Sequence, residues 1–394
     1  MKTVDRKSPF VAKKRFVRAD GKSFWQFLDE HSITYDKNHF PFITKHRIPQ
    51  VLPIFDFNHY LKLSSRGAAL GYLYQGLGQA LDYVGPVLDM ELTHGFNDHT
   101  DRHTLWVAQT GVELLQRSGF SYDGQKEHYD TASELLMTLV GMTHDLGNFM
   151  DRKDHSTYSA WLMTRMFLNT HIHSSAWHAT LYSILFHEEP VIKALGTDLT
   201  QGMPLQWALV AADKMHVGRD RVGGRSFLNG IEKNALEDDS HILLNSLICR
   251  STWIISSSKF VWHLGFSVDQ LEDKFSRFTK GNKRIHVPYS FQKLFVYKGV
   301  LYRDTFKEMF TQLYRDRLLM AAQSIFLLFP YLQRFEVQLS DIDTRGKVGS
   351  GDMVLWSINR SDVFKNHADT HTAKPKYDGK RKQSTNRVGW WARG

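Results

Sequence analysis

The sequence predicts a mainly α-helical protein: a helical bundle followed by a small α+β subdomain towards the C-terminal end. Three observations carry that expectation. Apolar residues recur at helical spacing, with short breaks, from about 93 to 265. A long amphipathic stretch runs from Arg303 to Phe329 and is stopped by Pro330. Segments that alternate as strands should, such as Phe335-Glu-Val-Gln-Leu, appear only beyond the bundle.

Taken in order, residues 1–22 read as a basic flexible arm, with Lys2, Arg6, Lys7, Lys13, Lys14, Arg15 and Arg18 and little apolar periodicity. Residues 23–92 form a helical lead-in broken by Pro41, Pro49 and Pro53. Residues 93–265 hold nearly all the chemically suggestive side chains and are expected to be the catalytic domain. In 266–365, Ile285 to Phe291 and Leu294 to Tyr302 read as strands or a strand and a turn, followed by the 303–329 helix. Phe335 to Leu339 and Met353 to Trp356 are two further strands that could pair across the turn at Gly346 to Gly351. The tail 366–394 is basic and almost free of apolar residues until Trp390 and Trp391, as expected of a disordered end.

Bulk properties narrow the class. A hydrophobic content of 42% in 394 residues is enough for a substantial core, which argues against overall disorder. The most apolar window, Leu318 to Leu332, contains Gln323 and Pro330 and falls short of the roughly 20 residues that span a bilayer, so a buried helix and no membrane partner are expected. A single cysteine, Cys249, cannot form an internal disulfide, and the charged first residues do not resemble a secretory signal; a cytoplasmic protein is expected. The net charge of +9 favours anionic ligands such as phosphorylated small molecules or nucleotides. The basic ends add nucleic acid as a second class of partner, and self-association into a homo-oligomer is compatible with the composition.

Four elements occur in a telling order. They are His103 in Asp-Arg-His-Thr-Leu-Trp-Val, the pair His144-Asp145 in Met-Thr-His-Asp-Leu-Gly-Asn, His187 in Leu-Phe-His-Glu-Glu, and Asp213 in Ala-Ala-Asp-Lys-Met-His. Imidazole nitrogens and carboxylate oxygens suit divalent first-row metals, and ligands drawn from several helices leave coordination positions open for water and a phosphate. Neighbouring residues point about 100° apart on a helix, so His144 and Asp145 can share a metal only at a helix edge, with Gly147 letting the helix end or bend there.

This pattern resembles the HD superfamily of metal-dependent phosphohydrolases, over roughly residues 95 to 225. The family signature is a lone His, an adjacent His-Asp pair and a distal Asp on separate helices. The resemblance implies an HD-domain helical bundle and a metal centre of His103, His144, Asp145 and Asp213. It also implies one or two divalent metal ions per chain, drawn from Mn, Fe, Zn, Ni or Mg. For a second metal, His155 is the first candidate, three helical turns beyond His144. The next ligand is His178 or His187, nine residues apart and so on opposite sides of one helix. His178 sits beside Trp177, Leu181 and Leu185 as a core histidine would, whereas His187 matches the His-Glu that closes the corresponding helix in many family members; His187 is favoured.

Asp145, Lys153, Lys214, Arg219 and Arg221 are the candidate catalytic residues, the four cations being placed to bind phosphoryl oxygens and steady developing charge. The expected activity is hydrolysis of a phosphoester, of a nucleotide or cyclic nucleotide, by a metal-activated water. Two better-known branches fit less well. The Gly-Tyr-Pro signature of cyclic-di-GMP phosphodiesterases is replaced by Phe186-His-Glu-Glu-Pro-Val, and the paired acidic residues of alarmone hydrolases by Leu146-Gly-Asn-Phe-Met-Asp. The set His103, His144, Asp145, His155, His187 and Asp213 matches the HD-type di-iron oxygenases equally well. A regulator that binds nucleotide or nucleic acid and retains the metal site is a third alternative.

Overall fold

The computed structural model describes residues 55–77, 101–125, 127–149, 154–166, 175–188, 203–218, 221, 244–245, 248–266, 303–341 and 353–364. The basic arm, the tail with Trp390 and Trp391, and the strands expected in 285–302 lie outside the described residues. Among those described, helices predominate: α1 (Asp101–Ser118), α2 (Thr131–Thr143), α3 (His155–Met166), α4 (Ser175–Leu185), α5 (Pro204–Met215) and α6 (Arg303–Leu328). A helical segment over 66–77 precedes them, and a four-stranded sheet completes the fold.

The helices start and stop where local chemistry dictates. Asp130 caps α2 by accepting from the Ser133 backbone N–H at 2.8 Å. Pro204 opens α5 at a position where its missing N–H costs nothing. α5 is buried on every side from Pro204 to Met215, which makes it the central rod of the molecule. It packs against α1, α2 and α4 on one side and α6 on the other. α1 and α2 meet so closely that a Cβ on Gly141 would lie 2.5 Å from the Ala108 Cα.

α6 ends at Leu328, two residues before Pro330, as expected from the sequence. It buries Phe310, Tyr314, Leu318, Ala321, Ala322, Ile325 and Leu328 along one stripe, which docks on α5 and on β4. No helix among the described residues is long and apolar enough to cross a membrane.

The sheet has the order β1 (Ile248–Ile255), β2 (Lys259–Phe266), β3 (Arg334–Asp341), β4 (Met353–Asn359). The β1–β2 and β3–β4 pairs are antiparallel, while β2 and β3 run parallel, so the chain must cross over between them and does so through α6. β3 and β4 are the pair expected from their alternation: Phe335, Val337 and Leu339 all turn inward. The hairpin β1–β2 spans Ile248 to Phe266. It falls in the stretch assigned to the helical bundle, yet it forms half of the sheet, with Phe260 stacked on Phe335 at 5.3 Å. The bundle and the sheet share one apolar core.

Candidate metal centre

Five helix ends converge on one buried pocket. His103 lies in the first turn of α1, His144 is the C-cap of α2 with Asp145 just after it, and His155 opens α3. His187 lies in the turn after α4, and Asp213 in the last turn of α5. The C-terminal ends of α2, α4 and α5 bring partial negative charge and free carbonyls to the place, a preference for cations. His103, His144, Asp145, His155, His187 and Asp213 are all buried.

The chain does not run from His144 to His155 as one helix of three turns. It breaks at His144, makes a 3-10 turn over Leu146–Phe149, and starts again at His155. Gly147 serves this break by close approach, since a Cβ there would lie 2.1 Å from the His155 carbonyl oxygen and 2.5 Å from the Ser159 nitrogen. Its own N–H is held by Ser159 Oγ at 2.7 Å. The pair His144-Asp145 therefore shares the pocket from a helix terminus, where the 100° restriction no longer applies.

Two groups of donor atoms form, and Asp145 belongs to both. Its Oδ2 lies 3.2 Å from His103 Nε2 and 3.4 Å from His144 Nε2, and Asp213 Oδ1 is 3.3 Å from the same His103 atom. Its Oδ1 lies 3.3 Å from His155 Nε2 and 3.7 Å from His187 Nε2. Those two nitrogens are 3.1 Å apart, and Glu188 Oε1 is 3.7 Å from His187 Nε2. Donors about 2.1 Å from a common metal sit about 3.0–3.4 Å from one another in octahedral or tetrahedral geometry, a range that holds here except for the two carboxylate contacts of His187 at 3.7 Å.

The hydrogen bonds fix which ring atoms face inward. His144 Nδ1 donates to the Gly141 carbonyl at 2.9 Å, and His187 Nδ1 donates to the Ile184 carbonyl at 2.6 Å. A carbonyl only accepts, so each Nε2 presents a lone pair to the pocket. His144 Nε2 is buried and makes no hydrogen bond. Lone pairs thus face lone pairs and carboxylates, an arrangement that calls for cations between them. Those lone pairs belong to the neutral rings; with no cation between them, the carboxylates draw a proton onto His144 instead. Burial pushes the His144 imidazole down, but the Asp145 and Asp213 carboxylates outweigh it and lift it to about 10. Burial and the Arg221 charge push His103 the other way, down. The residues fit one or two metal ions.

Among the candidate catalytic cations, Lys214 is committed to carboxylates: its Nζ donates to Asp213 Oδ2 at 2.7 Å and to Glu188 Oε1 at 2.5 Å. Burial works against its charge, and these two partners nonetheless raise its pKa. Arg221 is fully buried beside the pocket, its Nη1 donating to the His216 carbonyl at 3.3 Å. Lys153 and Arg219 lie outside the described residues. His178 is exposed on α4, not packed in the core as its apolar neighbours suggest, and takes no part.

Three residues at the site went unassigned in the sequence. Glu188 stands next to His187, and that adjacency is a signal. His216 stacks on His103 with centroids 5.0 Å apart, shares a 2.7 Å Nδ1–Nδ1 hydrogen bond with it, and is covered by Trp106 at 4.4 Å. Its place three residues after Asp213 hints at this only once the end of α5 is known. Arg317 of α6 donates from Nη2 to the Asp213 carbonyl at 3.1 Å, from more than a hundred residues away.

No protein-family model, curated protein or solved structure matches this chain.

Proposed function

We propose that the chain is a metal-dependent phosphohydrolase of the HD type, using two divalent ions to hydrolyse a phosphoester of a small molecule or nucleotide. The observation that carries this is Asp145, whose two carboxylate oxygens each face a separate pair of histidines at 3.2 to 3.7 Å. One carboxylate between two sets of nitrogen donors is the arrangement that holds two metals side by side. The order His103, His144-Asp145, Asp213, the signature of the HD superfamily, supports the family assignment.

Divalent ions in such a donor set supply Lewis acidity and a water acidic enough to be a nucleophile near neutral pH. The chain's own groups do the rest. The Nδ1 bonds of His144 and His187 to backbone carbonyls hold the imidazoles in one tautomer and one orientation. Lys214 keeps Asp213 and Glu188 ionised and fixed. Arg221 brings a permanent positive charge beside the pocket, where it can counter the charge that grows on a phosphoryl group as its ester bond breaks.

The test is metal content together with phosphate release. Two Mn, Zn or Mg per chain, with phosphate released from a panel of nucleotides and cyclic nucleotides, is the expected result. Glu188 adds a third carboxylate to the donor set, and mixed imidazole and carboxylate donors also suit non-haem iron, which supports a second function, an HD-type di-iron oxygenase. Two irons with redox-dependent colour and no phosphate release would decide for that function.

A further inference from the structure

Two guanidinium groups flank the pocket on the side of Asp213 and His216, from parts of the chain far apart in sequence. Arg221 follows α5, and Arg317 comes from the middle of α6. Each uses one nitrogen to hold a carbonyl at the C-terminal end of α5: Arg221 takes that of His216 and Arg317 that of Asp213. Cations at a helix C-terminus are favourable, and this accounts for one donor on each side chain. It does not account for the others. The Nε of Arg221 and the Nε of Arg317 are both buried and make no hydrogen bond.

Two like charges placed together, Arg221 buried and Arg317 half-buried with its Nε covered, are costly unless an anion joins them. Burial and the Arg317 charge bring Arg221 down to about 10, and His216 and Tyr314 feel both cations. The charges of Asp213 and Asp145 offset part of this at Arg221, but their oxygens are engaged elsewhere. Asp213 Oδ2 is held by Lys214, and Asp213 Oδ1 and both oxygens of Asp145 face the histidine nitrogens. The guanidinium pair therefore has capacity for an external anion with several acceptor oxygens.

We propose that Arg221 and Arg317 form a subsite for the terminal phosphate dianion of a phosphomonoester, so that the metal centre acts on a monoester in preference to a diester. The inference rests on the phosphohydrolase function and sharpens its substrate class. A terminal phosphate carries close to two negative charges at neutral pH and three acceptor oxygens, whereas a diester carries one charge and two free oxygens. Two forked donors match the first better than the second. The long C-terminal helix thus supplies a substrate-binding group to a centre whose metal-binding candidates all come from the first 213 residues.

The experiment uses the full chain reconstituted with Mn and the variants Arg317→Gln and Arg317→Lys. Three quantities are read: bound metal, calorimetric affinity for inorganic phosphate, and kcat/KM for p-nitrophenyl phosphate and bis(p-nitrophenyl) phosphate. Arg317→Gln should keep its metal, bind phosphate about tenfold more weakly, and lower the monoester-to-diester ratio of kcat/KM about tenfold. Arg317→Lys should fall between, because an ammonium keeps the charge and loses the fork. Loss of metal in Arg317→Gln would mean that Arg317 acts only through the Asp213 carbonyl, and the inference would fall. Phosphate affinity within about twofold of the parent protein would also overturn it. If the parent protein hydrolyses neither ester but binds phosphate in an Arg317-dependent way, the dianion subsite stands and the phosphohydrolase function fails.

Discussion

Gly147→Ala is a sharp test of how the centre is built, because it removes no candidate ligand side chain. The new Cβ would lie 2.1 Å from the His155 carbonyl oxygen and 2.5 Å from the Ser159 nitrogen, where ordinary contact begins near 3.4 Å. Both obstacles are backbone, so no side chain can swing aside. The start of α3 must retreat from the 3-10 turn by about 1.3 Å, the shortfall in the closer contact. Forced repacking of this kind costs about 1–3 kcal/mol. The effect on metal is more selective. His155 moves with α3, whereas His103, His144 and Asp213 are carried by α1, α2 and α5. Ligand distances tolerate displacements of only about 0.2 Å. The variant should lose the ion held by His155, His187 and Glu188 and keep the ion held by His103, His144 and Asp213. Elemental analysis of the Mn-loaded protein should fall from two ions per chain towards one, with a lowered Tm and intact far-UV circular dichroism. Full retention of both ions with parental activity would refute the reasoning, as would equal loss of both.

Asp145→Ala removes the carboxylate that both donor groups share, and should strip both ions and all hydrolysis while leaving helical content nearly unchanged; metal occupancy with normal turnover would contradict the bridging role. His187→Ala should lower the metal-to-protein ratio, whereas His178→Ala on the exposed face of α4 should not, and the reverse result would move the ligand. Lys214→Met leaves Asp213 and Glu188 without their shared cation and should destabilise the metal-free protein by about 3 kcal/mol in urea, the lower end of the range for a broken buried pair because Glu188 is half exposed. Added Mn should restore part of that loss, and a deficit unaffected by metal would separate Lys214 from the centre.

Helices were legible wherever a long periodic pattern had a clear stop. The 303–329 stretch became α6 almost to the residue because Pro330 forbids continuation, and the alternation of Phe335, Val337 and Leu339 gave β3 its inward face. The β1–β2 hairpin was missed although Ser256-Ser-Ser is a turn signal between β-branched and aromatic runs. Its partner, β3, comes some seventy residues later, and no local pattern announces a parallel pairing at that distance. At the site, the motif order that resembles the HD superfamily pointed to His103, His144, His155 and His187, which meet, but not to His216, which stacks on His103. It could not show that the helix breaks between His144 and His155, because that break depends on how closely α3 approaches Gly147. Nor could it find Arg317, whose role depends on α6 lying along α5.

The position of α5 has a consequence for synthesis on the ribosome. This helix carries Asp213 near its end and is buried on every side, one of those sides by α6. The chain must grow some ninety residues past Asp213 before α6 begins, and further before Phe310, Tyr314 and Leu318 can cover it. Until then the C-terminal carbonyl of Asp213 lacks Arg317, and the apolar flank of α5 stays open to water. The nascent chain therefore holds every candidate metal ligand well before α6 can close over α5 and Arg317 can reach the end of that helix.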